Sequence, residues 1–516
     1  MLLDQIWLLA PWLSGWRRLA VSAFVLGLVI ALCYRPFSMV EVGDASIYDY
    51  IAQTILRGGL PYRDVVEIKA PGAIYLSALA MLLGRHLAIS DIIAVRLLNI
   101  LLIGALSFMT FVVSWTYLRS RLASVIAVLL PLMMGSFTIM MNGGTQPKLP
   151  LMIFGLCSLY LTARDRPFWA GLFSMLCCLC WQPGLLFTGV VFLMFTRYLT
   201  RWRDFAWLKV LAGAAIPLGT TLLYFYSRGA LRDLWSWTIT FNYSVFAPNG
   251  LKPLSQSLRH FWKVVSRVYE WDSIAVWMSV AGFIWYSYRR VRAKFGGVRA
   301  FGGPTLDRDA IAIPPLIYLA FCTINFQGGP DLIPFLPFIG IFGGWFFIRA
   351  ARLLFSGRIA LAGHYLTAQR AFCLLVVITI GIITLYRGVT YRVENITLQA
   401  QSAVAEKVAR LLAPGDTIYV HGSVELLVLL DIPNLNPYVA FDSGADDYIA
   451  AGKPHGFASV IEEMEAAAPK VAVLTRLGNV HHADELMHWV NQHYQRLAQF
   501  DYASLWVRTD GSAPAQ

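Results

Sequence analysis

The sequence predicts a polytopic α-helical membrane protein that ends in a smaller soluble α/β domain. Two bulk observations carry the membrane part. The chain has 516 residues, 57% of them hydrophobic and only 14% charged, with a mean hydropathy of +0.58, where a soluble protein is about a quarter charged. Apolar segments recur from about residue 19 to residue 386, separated by short charged loops. The third observation is a change of composition near Arg387, after which strand-like and helix-like stretches alternate in a polar background.

Residues 1–16 form a short Trp- and Leu-rich lead, followed by Arg17-Arg18 and an apolar run over 19–37. No small-residue cleavage site precedes Glu41, so this run reads as an uncleaved first transmembrane helix with a cytoplasmic N-terminus. A polar outer loop, 38–90, comes next. Asp44 is placed to cap a helix whose apolar residues Ile47, Ile51 and Ile55 recur every fourth position, with Asp49, Gln53 and Arg57 off that stripe. Gly58-Gly59 ends it and Leu60-Pro61 turns the chain. So short an amphipathic helix is expected along the membrane surface, not across it. A second short helix is expected over 71–83. Ten more apolar segments follow, at 92–118, 122–140, 149–161, 168–181, 185–198, 207–226, 273–288, 310–326, 332–348 and 371–386. With the first helix this predicts about eleven spans.

Charge tests that count. Starting inside, alternation assigns 119–121, 164–166, 197–209, 289–309 and 349–370 to the cytoplasm, and each is rich in Arg or Lys. The short loops assigned outside, 141–148, 182–184 and 327–331, hold one cation between them, Lys148. The net charge of +12 is therefore read as cytoplasmic loop charge, and no nucleic-acid partner is expected. The basic loop RRVRAKFGGVRAFGGP (289–304) lacks the GxxxxGK[ST] of a phosphate-binding loop and reads as a solvated linker beside anionic lipid. All seven cysteines lie in apolar runs, so neither a disulfide framework nor a zinc set is expected; Cys177, Cys178 and Cys180 read as small apolar side chains.

Two domains follow: a transmembrane domain, 1–387, with outer loops at 38–90 and 227–272, and a soluble α/β domain, 388–516, outside by parity. The second loop is aromatic and carries Arg228, Arg232, Lys252, Arg259, His260 and Lys263. In the tail, helices are expected over 398–412, 461–468 and 483–497, and strands over 416–421, 470–475 and 504–508. His421-Gly422-Ser423 reads as a strand-end turn, and His481-His482 with Asp484 and His488 as a solvated helix face. Asn395-Ile396-Thr397 matches a glycosylation sequon.

The stretch VGDASIYDYIAQTILRGGLPYRDVVEIKAP (42–71) is the chemical anomaly, with carboxylates at Asp44, Asp49, Asp64 and Glu67 and cations at Arg57, Arg63 and Lys69. An interfacial carboxylate can act as a general base, and a nearby cation can stabilise a departing phosphate. Glycosyl transfer from a lipid-linked sugar needs both groups. The same residues read equally well as a helix cap and a solvated cluster of ion pairs.

A resemblance separates these readings. Gly43-Asp44-x-x-x-Tyr48, Gly59-Leu60-Pro61-Tyr62-Arg63-Asp64 and Glu67-x-Lys69-x-Pro71-Gly72, after a first transmembrane helix, resemble the start of the GT-C class of membrane glycosyltransferases. The group they are most similar to is the bacterial relatives of dolichyl-phosphate-mannose protein mannosyltransferases and of the lipid A aminoarabinose and galacturonic acid transferases. The motif likeness covers 40–85; elsewhere it is architectural. It implies a GT-C-like fold of the bacterial inner membrane with a periplasmic tail. It also implies an inverting transferase that takes a sugar from a polyprenyl-phosphate donor to a glycan, lipid or protein acceptor. Position by position, Asp44 would be the base, Lys69 and Arg63 would bind the donor phosphate, and Tyr48, Tyr62, Asp64 and Glu67 would line the site. The resemblance names no certain cofactor, and Asp64 and Glu67 would line the site or help bind a divalent cation. One departure is Gly143–Lys148, where many relatives carry an acidic residue. The rival classes are a transporter or flippase of lipid-linked saccharides, which would place ionisable groups within the spans, and a non-catalytic scaffold of an envelope polysaccharide complex.

Overall fold

The computed structural model describes residues 15–41, 43–196, 205–246, 254–295, 309–324, 326, 328–355, 358–361, 364–393, 396–441, 444–475, 477–499 and 504–509. The lead up to residue 14, most of the basic glycine-rich loop and Asn395 of the sequon lie outside the described residues.

All the apolar segments are helical over most of their described length. Among the described residues, five stretches are long and apolar enough to cross a bilayer: Gly15–Ser38, Asp91–Leu118, Ala206–Ser227, Gly329–Leu354 and Ala368–Thr390. Arg121–Met133 and Gly135–Asn142 together meet the same criterion but are bent by 69°. The break falls at Met134, whose ψ of 80° leaves the helical region, just beyond Pro131 with its missing N–H. Lys148–Ala163, Pro167–Cys180, Gln182–Thr196 and Ile313–Ile324 are apolar but shorter.

Lipid offers helices no hydrophobic reason to associate, so close backbone packing must supply it. Helix Pro167–Cys180 lies between Lys148–Ala163 and Ala206–Ser227, and Leu336–Leu354 packs on Arg121–Met133 and Ser273–Phe295. A β-carbon at Gly171 would collide with Val210 O, and one at Gly213 with Phe168 O, so these two helices meet backbone to backbone.

The loops that charge alternation assigns outside meet at one end of the bundle. Thr145 hydrogen-bonds Asp49, Gln182 Nε2 donates to Ile68 O at 2.7 Å, and Lys148 pairs with Asp331 at 3.0 Å. Two loop helices, Asp44–Leu56 and Gly72–His86, lie there. The first is not the one-sided surface helix expected from its apolar stripe. Asp49 and Gln53, off the stripe, are 0% and 1% exposed, while Ile47 and Ile55 are only partly buried. The tail covers it: Ile51, Ile74 and Met81 share one apolar cluster with Val420, Leu427 and Val428. Gln53 Nε2 donates to Val428 O at 3.0 Å, Tyr50 OH accepts from Asn434 N at 2.7 Å, and Arg57 pairs with Asp431 at 2.7 Å.

A short antiparallel hairpin, β1 (Arg358–Leu361) with β2 (His364–Thr367), occupies the loop 349–370. The tail holds a four-stranded sheet of β3 (Ile418–His421), β4 (Val471–Leu474), β5 (Tyr494–Gln499) and β6 (Ser504–Arg508) in the order β3-β4-β6-β5. β3 and β4 are parallel and the other pairs antiparallel. The helix expected over 483–497 stops at His493, because Tyr494 to Gln499 pair with Ser504 to Arg508 instead. Helices Glu425–Leu430 and Ala445–Ala451 carried no periodic signal long enough to read.

Candidate active site

The opening loop turns at the positive-φ residues Gly43 and Tyr62. Gly43, at φ 65°, redirects the chain into the helix Asp44–Leu56. Gly43 occupies the N-cap position and no side chain caps the helix, so Asp44 is not the cap that the sequence suggested. Its carboxylate is instead 70% exposed and meets Lys69 Nζ at 2.8 Å. Tyr48, one turn on, donates its hydroxyl to Asp44 Oδ2 at 3.4 Å and also touches Lys69 Nζ, which lies 4.9 Å from the centre of its ring.

Lys69 is held from below. Tyr62, with φ 73° in the turn after Leu60-Pro61, buries its ring against Phe225 and donates its hydroxyl to Lys69 O at 2.8 Å. The buried Glu67 accepts the N–H groups of Ile68 and Lys69, both at 2.9 Å, on Oε1. Ile68 O accepts two side-chain amides from distant loops, Gln182 at 2.7 Å and Asn242 at 2.9 Å. Backbone groups on both sides of Lys69 are therefore fixed, and its ammonium can be aimed at Asp44 without disordering the strip.

The charges differ in state. The Lys69 ammonium beside Asp44 holds that carboxyl below the usual range, so it is ionised at neutral pH. Burial pushes the Glu67 carboxyl up to about 7. Burial would weaken the Lys69 ammonium, but the surrounding Tyr48, Asp44 and Glu67 outweigh it and raise its basicity.

The other expected site residues are elsewhere. Arg63 and Asp64 pair with one another at 3.2 Å; Asp64 Oδ2 accepts Leu60 N at 2.7 Å, and Arg63 reaches Arg228 O at 3.4 Å. They brace the turn, and among the described residues neither hydrogen-bonds or ion-pairs with Asp44 or Lys69. Among the described residues the opening loop brings no three carboxylates or imidazoles within reach of one cation. Asp49 sits beneath the helix in a buried polar knot with Glu41, Arg96 and Thr145; Arg96 bonds Glu41 at 3.2 Å and Pro36 O at 2.6 Å. Burial and the neighbouring Asp49 raise the Glu41 carboxyl well above its ordinary value. In the tail both ring nitrogens of His421 are occupied, by Thr475 O at 3.0 Å and Phe441 N at 2.9 Å, which matches a strand-end turn.

Lys148 and Asp331 were missed as a pair. Lys148 Nζ is 3.0 Å from Asp331 Oδ1 and 4.7 Å from the centre of the Trp181 ring, and its charge acts on both Asp44 and Lys69. The only sequence signal was that Lys148 is the single cation of the short outer loops.

The fold is that of the GT-C class of membrane glycosyltransferases. Among solved structures the chain resembles ArnT from Cupriavidus metallidurans bound to undecaprenyl phosphate, at 13% identity and TM-score 0.60, covering 97% of this chain and 99% of that one. It also resembles the archaeal oligosaccharyltransferase AglB from Archaeoglobus fulgidus in complex with an inhibitory peptide and a dolichol-phosphate, at 12% identity and TM-score 0.51, covering 97% and 75%. A third likeness is to the arabinofuranosyltransferase AftD from Mycobacteria, at 15% identity and TM-score 0.50, covering 96% of this chain and 40% of that one. No protein-family model and no curated protein matches the sequence.

Proposed function

We propose that the protein is an inverting glycosyltransferase of the bacterial inner membrane. It moves a hexosyl or pentosyl unit from a polyprenyl-phosphate carrier to an envelope lipid, glycan or protein on the periplasmic face. Eleven crossing segments, a cytoplasmic N-terminus and a periplasmic tail over 388–516 complete this reading. The observation that carries it is the contact between Asp44 and Lys69, an exposed carboxylate against an ammonium whose backbone is fixed from both sides. The solved neighbours bound to undecaprenyl phosphate and to dolichol-phosphate support the carrier class.

In this mechanism the donor phosphate replaces Asp44 as the partner of Lys69. The Asp44 carboxylate, released from its ion pair, accepts the proton of the acceptor hydroxyl. The acceptor oxygen attacks the anomeric carbon from the side opposite the phosphate. The bond from that carbon to the phosphate oxygen breaks, and its electron pair leaves with the phosphate. Lys69, with Lys148 behind it, stabilises the charge that develops there. Tyr48 orients both partners from one hydroxyl. Donor and acceptor approach from the end of the bundle where the outer loops converge.

Purified full-length protein in lipid nanodiscs, given a polyprenyl-phosphate sugar and envelope extracts, should release polyprenyl phosphate and a glycosylated product detected by mass spectrometry. Movement of intact donor between leaflets with no product would favour a flippase and overturn the proposal.

A further inference from the structure

The tail holds a group of ligating side chains that the proposed transfer does not use. Asp446 and Asp447 stand in the first turn of helix Ala445–Ala451, and His481-His482 come from the segment that follows β4. One ligand atom from each of Asp446, Asp447 and His481 lies within 4.8 Å of the others. His481 Nδ1 is 2.5 Å from Asp447 Oδ2, and His482 Nε2 is 3.4 Å from Asp447 Oδ1. Two imidazoles thus face one carboxylate from both sides.

The second observation is the state of Asp446, which is fully buried. Its Oδ2 accepts the backbone N–H groups of His481 at 2.5 Å and His482 at 3.0 Å, which ties the histidine segment to the helix. Its Oδ1 is buried and has no hydrogen-bond partner. A buried carboxylate oxygen without a partner is costly, and a half-exposed His–Asp pair beside it contributes little by itself. A cation bound to that oxygen removes the cost. His482 also has the supporting contact typical of a metal-bound imidazole: its Nδ1 is 2.7 Å from Glu485 Oε1, and its ring stacks on Phe457 at 4.6 Å.

We infer that Asp446, Asp447 and His481 form a structural site for a divalent transition-metal cation of the zinc type. Mixed imidazole and carboxylate ligands select such an ion over calcium or magnesium, and ligation replaces the present 2.5 Å contact between His481 Nδ1 and Asp447 Oδ2. The fourth position goes to water or, after a ring shift, to His482 Nε2. The site braces the tail against the second outer loop, because Tyr448 of the same helix meets Ser236 Oγ at 2.7 Å and packs on Trp237 and Phe241.

The test uses full-length protein in detergent, freed of affinity histidines and stripped with a chelator, then titrated with Zn²⁺ against a fluorescent competitor and with Co²⁺ by visible absorption. The expected result is one saturable site per chain, a raised unfolding temperature with Zn²⁺ and a tetrahedral Co²⁺ spectrum. Asp447→Asn and His481→Gln should each weaken Zn²⁺ binding by about tenfold or more, while His488→Gln, outside the cluster, should leave it unchanged. Should a variant fold poorly, the Co²⁺ spectrum of the unmodified protein still decides. No saturable site, or binding that survives both ligand substitutions, overturns the inference. No sugar donor is present, so the outcome is independent of the proposed transfer reaction.

Discussion

Lys69 Nζ lies 2.8 Å from Asp44 Oδ2, an ion pair between residues 25 apart that closes the first outer loop into a ring. Asp44→Asn keeps the volume and removes the charge. Glycosyl transfer should fall by about 10²- to 10⁴-fold, the usual worth of a general base, with unchanged membrane insertion and monodispersity. Unaltered transfer rates in this variant would remove Asp44 from the mechanism.

Lys69→Ala should raise the KM for the donor more than that for the acceptor. It should also move the acid limb of the pH–rate profile upward. Lys69 is the main group holding the Asp44 carboxyl low, so its removal lets that carboxyl return towards the ordinary range and protonate at higher pH. Equal effects on both substrates with an unmoved limb would argue that Lys69 touches neither phosphate nor base.

Glu67 gives a stability prediction with a definite sign. Burial raises its carboxyl from 4.5 to about 7, so the folded protein binds this proton more tightly than the unfolded chain does. Its contribution is complete below pH 4.5 and is lost as pH rises through 7, at up to roughly 1.4 kcal/mol per pH unit. Glu67→Gln keeps an acceptor for the N–H groups of Ile68 and Lys69. Thermal unfolding followed across this range should decline with pH in the native protein and stay flatter in the variant.

The pair Lys148–Asp331 is nearly sealed, with side chains 9% and 7% exposed. Removing one partner strands the other charge. Lys148→Met or Asp331→Leu alone should therefore destabilise by about 3–5 kcal/mol. The double variant should recover much of that stability, yet turn over donor more slowly because the second cation behind Lys69 is gone. Thermal unfolding and transfer rates measured on the same three preparations separate these effects.

Tyr62→Phe removes only the hydroxyl that donates to Lys69 O, leaving the ring against Phe225. The stability loss should be about 1 kcal/mol. A larger relative loss in kcat than in stability is expected if the strip positions Lys69; an activity loss no larger than the loss of folded protein would make Tyr62 merely structural.

The helical segments, the outer loop and the residues Asp44, Tyr48, Glu67 and Lys69 were all legible in the chain. Long apolar runs have few alternatives to a helix when no water is present to satisfy the backbone. The role expected of Asp44 as a cap was misread, because spacing locates a carboxylate in a first turn but not the direction it faces. The surface placement of helix Asp44–Leu56 failed for a related reason. Periodicity marks an apolar stripe, whereas the polar side is buried here by the partners Asp91, Thr145 and Val428 O, which lie far away in sequence.

By itself, then, the sequence determined which segments are apolar enough for the bundle and which short polar loop carries paired carboxylates and cations. These are local properties, written in composition and spacing. Tertiary structure decided that Asp44 meets Lys69 and that Arg63 and Asp64 brace a turn instead. It also decided that Lys148 finds its counter-ion in Asp331, and that the tail seals the loop helices. Those outcomes depend on contacts between distant segments, where burial, the need to pair every buried charge and the close approach of helices at Gly171 and Gly213 select one arrangement among many that the local signals allow.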